Sequence, residues 1–198
     1  MVLSDNAPAD MPAWLPDGKR LLYRTGRRDG GSLVGVVVIR DLATGQEKVL
    51  FQRATGEKLT NIALSPDGRQ VALTVLEEET RSSVLKVLPV AGGQASELVR
   101  AKHPETIVGL GESLSWSADS RYIIFRRALT TGQERKTQLL AVSARGGEPH
   151  PLGLDMDAVR NVSFHPDGHR VAFAANVGKD RIEVWVMENF LPALKAAK

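Results

Sequence analysis

The chain has 198 residues, 42% hydrophobic and 25% charged, an ordinary globular composition that excludes a disordered chain and fits one domain over 1–198. No apolar run approaches the ~18 residues of a membrane span, residues 1–12 lack the apolar core of a signal peptide, and the absence of cysteine excludes disulfides, thiol nucleophiles and cysteine zinc sites. The net charge of +3 sets 26 basic against 23 acidic residues, far from the basic stripe of a dedicated nucleic-acid binder.

Four segments align without gaps: LPDGKRLLY at 15–23, SPDGRQVAL at 65–73, SADSRYIIF at 117–125 and HPDGHRVAF at 165–173. Their aspartates, Asp17, Asp67, Asp119 and Asp167, are spaced by 50, 52 and 48, so the repeat fills the chain four times. In each copy a first strand ends on a large apolar residue three positions before the aspartate: Trp14, Leu64, Trp116 and Phe164. A second strand follows the turn with apolar residues two apart, Leu21/Tyr23, Val71/Leu73, Ile123/Phe125 and Val171/Phe173. Period-two apolar residues on both sides of a tight turn predict half-buried antiparallel strands. In the turn, proline presets φ, aspartate tolerates the second central position, and Gly18, Gly68 and Gly168 supply a left-handed conformation. The third copy departs, with Ala118 for proline and Ser120 for glycine; a non-glycine residue there costs ~1 kcal/mol, so this hairpin is expected to be the weakest.

Third strands are predicted at 36–40, 84–88, 138–142 and 182–187, and the first three are followed by turns at 41–45, 89–93 and 143–147. Short fourth strands follow at 48–52, 96–100 and 149–153, and the last copy lacks one. Four strands, A to D, therefore make each unit: about 11–52, 60–100, 112–153 and 160–188, with a polar tail at 189–198. The B–C loops at 26–32, 77–83, 129–136 and 176–180, and D–A connections such as 103–112, are the stretches that vary between copies. Trp14, Leu64, Trp116 and Phe164 are expected to form one equivalent layer between units.

Antiparallel four-stranded units at this period are the signature of propeller blades. The Ser-Pro-Asp-Gly-Arg pattern, cleanest at 65–73 and 165–173, and the Asp-Leu-Ala-Thr-Gly turn at 41–45 resemble the TolB-like, WD-repeat-like β-propeller repeat over residues 11–188. The resemblance implies an all-β fold of about four blades. Propellers of this kind usually have six or seven, so two architectures stay open: a closed four-bladed ring, or an open C-terminal part of a larger propeller. In a closed ring, residues 1–4 stand in D-strand register to complete blade 4.

Candidate chemistry is sparse. The repeat aspartates read as turn residues. His165 and His169 bracket a turn rather than share a helix face, so no metal site is expected, and His103 and His150 fall on connections. Gly111-Glu-Ser-Leu-Ser115 lacks the second glycine of a nucleophile elbow, Gly109 and Gly111 do not make a dinucleotide fingerprint, and no cofactor is expected. Asn161-Val-Ser163 matches a glycosylation acceptor but falls on an inner strand. Charge gathers on the B strands and B–C loops: Arg27 and Arg28, then Glu77, Glu78 and Glu79, then Arg126, Arg127, Arg135 and Lys136. Such an alternating rim suits a charged protein patch, with a solvated surface as the plainer reading.

The reading is therefore a non-catalytic binding module with a protein partner, no nucleic acid and no membrane span. The resemblance implies a bacterial interaction or sensor scaffold, cytoplasmic as the chain stands and periplasmic if part of an envelope protein. The alternative is the propeller portion of a prolyl-oligopeptidase-type hydrolase, whose catalytic half lies outside this chain.

Overall fold

A computed structural model describes residues 9–108, 114–132, 134–153, 160–165, 167, 169–177 and 181–188. Every regular element among them is a strand. Blade 1 holds β1 (Ala9–Trp14), β2 (Arg20–Asp29), β3 (Ser32–Asp41) and β4 (Glu47–Gln52); blade 2 holds β5 (Glu57–Leu64), β6 (Gln70–Glu77), β7 (Ser82–Pro89) and β8 (Ser96–Lys102). Blade 3 holds β9 (Glu105–Ile107), β10 (Leu114–Trp116), β11 (Tyr122–Thr131), β12 (Glu134–Ser143) and β13 (His150–Pro151); blade 4 holds β14 (Arg160–Phe164), β15 (Arg170–Val177) and β16 (Arg181–Glu188). Each blade is an antiparallel meander in chain order, except that β9 pairs with β11 off that path.

The repeat turn makes the A–B hairpin. In blade 1 the Leu15 amide donates to the Arg20 carbonyl and the Gly18 amide to the Leu15 carbonyl, both at 2.9 Å. The closing residue is left-handed in the three copies where it is described: Gly18 at φ 63°, Gly68 at 68° and Ser120 at 58°. Ser120 carries this conformation despite its Cβ, as the sequence requires.

Two expectations about connections are corrected. In blades 1 and 2 the segments expected as B–C loops are tight turns between longer strands: β2 and β3 pair as far as Asp29 and Ser32, leaving Gly30 and Gly31, both at positive φ, as a two-residue hairpin. The connection after β8 contributes β9, which pairs with the outer half of β11 through Arg127–Ile107 and its neighbours and makes blade 3 five-stranded.

Alternate faces of each blade pack on the blades before and after it. Leu22, Val37 and Ile39 of blade 1 meet Leu59, Ile62, Val71 and Leu73 of blade 2. Ala72, Leu85 and Val87 meet Trp116, Ile123 and Phe125 of blade 3, and Ile124, Leu139 and Ala141 meet Phe173 and Ala175 of blade 4. The inner strands follow in sequence, β1 against β5, β5 against β10, β10 against β14.

The arrangement is an open arc rather than a closed ring. On the far face of blade 4, Ile182, Val184 and Val186 are exposed, Val184 by 77%. The expected single layer of large residues is corrected for the same reason. Leu64, Trp116 and Phe164 each insert against the preceding blade. Trp14 points the same way from blade 1, where no described blade precedes it, and is 61% exposed. Residues 1–4, expected to complete blade 4, and the tail at 189–198 lie outside the described residues.

Candidate functional site

The repeat aspartates are held by their own turns. Asp17 Oδ1 accepts the Lys19 amide at 2.9 Å and the Arg20 amide at 3.1 Å, with the Arg20 guanidinium on Oδ2 at 2.6 Å. Asp67 and Asp119 each take a serine hydroxyl two residues back at 2.6 Å, from Ser65 and Ser117, and an arginine amide two residues on, Arg69 at 3.0 Å and Arg121 at 3.1 Å. Asp167 takes the His169 amide at 2.9 Å, the Arg170 guanidinium at 2.8 Å and the His165 ring at 2.9 Å.

The Lys19 amide and Arg20 hold Asp17 below the usual carboxylate range. The His169 amide lowers Asp167 further, with Arg170 and His165 outweighing the opposing effect of desolvation. Burial opposes the same shift at Asp67, but the Ser65 hydroxyl and Arg69 amide outweigh it. These carboxylates are ionised turn clamps. His165 serves the same turn, and among the described residues no three histidine or carboxylate side chains gather as a metal site. Gly168, Gly109, Gly111 and Ser113 lie outside the described residues, while Ser115 sits within β10 opposite Ile124.

The charged rim occupies the other end of the B strands; β6 runs from Gln70 at the turn end to Glu77 at the rim. Several of its charges are paired within their own blades. Arg27 meets Glu47 at 2.6 Å, Glu77 meets Arg100 at 2.6 Å and accepts the Thr80 hydroxyl at 2.8 Å, and Arg127 lies 3.6 Å from Glu105. Arg28, Glu78, Glu79 and Lys136 are exposed, and Arg126 is partly buried on β11. The side chain of Arg135 lies outside the described residues.

At the turn end a cavity of about 760 Å³ opens between blades 2 and 3, lined by Asp67, Arg69 and Gln70 of one and Ser120, Arg121, Tyr122, Ser143, Ala144 and Arg145 of the other. The A–B and C–D turns of blade 3 are tied by the Ala144 amide on the Arg121 carbonyl at 2.8 Å. Ser120 Oγ accepts the Asp67 amide at 3.2 Å, a bond that crosses between the blades. At the preceding junction, Gly68 lies so near Pro16 that an added Cβ would fall 2.4 Å from the ring. Ser120 is the equivalent residue one blade on, carries a Cβ, and meets the preceding turn through its hydroxyl. A second cavity of about 440 Å³ runs along the inner strands, between Leu64, Ser115, Trp116, Ser163 and Phe164.

No family model matches the chain, and no curated protein matches it. Solved structures do. TolB from Acinetobacter baumannii shares 17% identity at a TM-score of 0.66, over 94% of this chain and 42% of that one. The fold is a TolB-like β-propeller. A structure of prolyl endopeptidases gives 18% identity and a TM-score of 0.68 over 92% of this chain and 28% of that one. The β-propeller domain of the Trilobed protease from Pyrococcus furiosus, described as having an open velcro topology, gives 15% and 0.57 over 92% and 69%. The TolB-like chain thus spans less than half of TolB and under a third of the prolyl endopeptidase chain. No helix among the described residues is long and apolar enough to cross a membrane.

The grouping of Arg69, Arg121 and Arg145 escaped the sequence reading. One signal was present: the position two after each repeat aspartate is Lys19, Arg69, Arg121 or His169. Arg145 falls in the second turn of its repeat, and only the packing of neighbouring blades brings that turn beside Arg69.

Proposed function

We propose that this TolB-like propeller is a non-catalytic binding module whose turn and rim faces dock a protein partner. The observation that carries the reading is the contrast between its charges. The carboxylates that recur in every blade are occupied by their own turns. The arginines around the cleft of blades 2 and 3 instead stand exposed in turns, whose backbone is tied by the Val90 amide on the Arg69 carbonyl and the Ala144 amide on the Arg121 carbonyl, both at 2.8 Å. Charged side chains on turns anchored to a rigid sheet scaffold present a preorganised surface, which favours recognition. Panning a random peptide display library against the folded chain tests it. Enriched peptides that bind saturably to the native and not the denatured chain support the reading; no enrichment overturns it. Turnover of prolyl or aminoacyl peptide substrates by the purified chain would overturn it equally.

The likeness to prolyl endopeptidase and acylaminoacyl peptidase structures supports a second reading, the propeller portion of a hydrolase. An α/β-hydrolase segment in the same native reading frame would favour it, and a winged-helix, kinase or envelope segment would exclude it.

A further inference from the structure

We infer that the cleft between blades 2 and 3 is a binding site for an acidic peptide segment, with Arg69, Arg121 and Arg145 as its anion-binding groups. The inference deepens the binding-module reading and rests on it. Three guanidinium groups and one carboxylate, Asp67, line a single cavity of about 760 Å³. Among the described residues no carboxylate lies within 4.0 Å of Arg69 or Arg145, and Arg121 has only a loose contact, 3.9 Å, with its own turn's Asp119. Elsewhere in the molecule other arginines do find carboxylates: Arg27, Arg40, Arg100 and Arg170 are each paired at 3.0 Å or less. Among the described residues, the arginines of this cavity therefore stand without the close carboxylate partners those four have. Guanidinium forks match carboxylates in bidentate geometry, which suits them to aspartate and glutamate side chains.

A second observation points to the same place. Ser120 holds a left-handed φ of 58° where two other blades have a described glycine, and its hydroxyl bridges the blades by accepting the Asp67 amide. A left-handed residue lining the cavity and bonded to the facing turn ties the two walls together. The retained Asp67 charge shapes the choice of ligand. Ionised at neutral pH and already taken by the Ser65 hydroxyl and the Arg69 amide, it opposes the dense charge of a compact phosphate. An acidic peptide spreads its carboxylates along a chain, so they can meet the arginines without crowding the aspartate.

The test is fluorescence anisotropy of labelled hexaglutamate titrated with the full chain at low and moderate salt. Saturable binding that weakens with salt is expected. Arg69→Gln, Arg121→Gln and Arg145→Gln together should weaken it by about tenfold or more, while Arg181→Gln, whose arginine pairs with Glu183 on blade 4, should leave it unchanged. Arg145→Glu alone provides a second measurement with a single exposed change, and it should weaken binding more than Arg145→Gln. Equal affinity for wild type and the folded triple variant, or no saturable binding, overturns the inference. So does competition by pyrophosphate at a lower concentration than unlabelled hexaglutamate, which would mark a phosphate site. The display experiment separates this failure from failure of the binding reading: enriched peptides without acidic character sink the cleft assignment and leave the module standing, whereas no enrichment sinks the module itself.

Discussion

Two tryptophans at the same repeat position offer a controlled perturbation. Trp116 is 4% exposed, packed among Ala72, Leu85 and Phe125, and its indole Nε1 donates to the Ala63 carbonyl of the preceding blade at 3.0 Å. Trp14 has the same place in blade 1 and is 61% exposed. A fully buried tryptophan removes ~150–250 Å² from water, worth ~4–6 kcal/mol at ~25 cal/mol per Å². That is an upper bound, because unfolded chains already shield part of this surface, and truncations of buried aromatics cost ~3–5 kcal/mol. Trp116→Ala is therefore expected to destabilise by ~4 kcal/mol. Trp14 keeps about two fifths of its surface covered, so Trp14→Ala is expected to cost ~2 kcal/mol, about half as much. Trp116→Phe separates packing from hydrogen bonding; it keeps a ring but leaves the Ala63 carbonyl without its donor, for ~1–2 kcal/mol. Urea denaturation followed by far-ultraviolet circular dichroism measures all three, with unchanged m-values confirming the comparison. Equal losses for Trp14→Ala and Trp116→Ala would refute the open-arc packing, since they would require a blade against Trp14.

Gly18→Ala and Gly68→Ala share the strain of a left-handed residue, ~1–2 kcal/mol, but only the second adds a Cβ 2.4 Å from Pro16, so it should be the costlier by ~1 kcal/mol or more in the same denaturation assay. Because the folded-state pKa of Asp167 is depressed, its contribution to stability is present above the usual carboxylate value and is lost as pH falls through that value towards the folded one. Asp167→Asn should consequently melt below wild type at neutral pH, with the gap closing under acid; a gap independent of pH would show that charge plays no part. Val184→Lys with Val186→Lys should change stability by no more than ~0.5 kcal/mol while lowering concentration-dependent light scattering, because both side chains stand on the bare face of blade 4. A large loss of stability would mean that this face is covered.

The four hairpins were legible because their information is local. A turn such as Ser65-Pro-Asp-Gly68 fixes its own backbone through φ preferences and the aspartate's bonds to adjacent amides, and period-two apolar residues then dictate which strand face is buried. The same locality marks Ser120 as a left-handed residue from its place in the repeat alone. The extent of β9 and the length of the B–C hairpins were not legible, since both depend on pairing to β11 or across Gly30-Gly31 rather than on the composition of the segment. Trp14 and Trp116 are indistinguishable within their own repeats, yet one is bare and one buried, because burial is set by the neighbouring blade. The cleft follows the same rule. Arg69 and Arg145 are 76 residues apart in sequence, and each sits in an ordinary polar turn. Only the stacking of blade 3 on blade 2, with the Ser120 hydroxyl bonded to the Asp67 amide, brings them around one cavity. Sequence thus determined each blade by short-range backbone chemistry, while the surfaces available for binding arose from long-range packing between repeats.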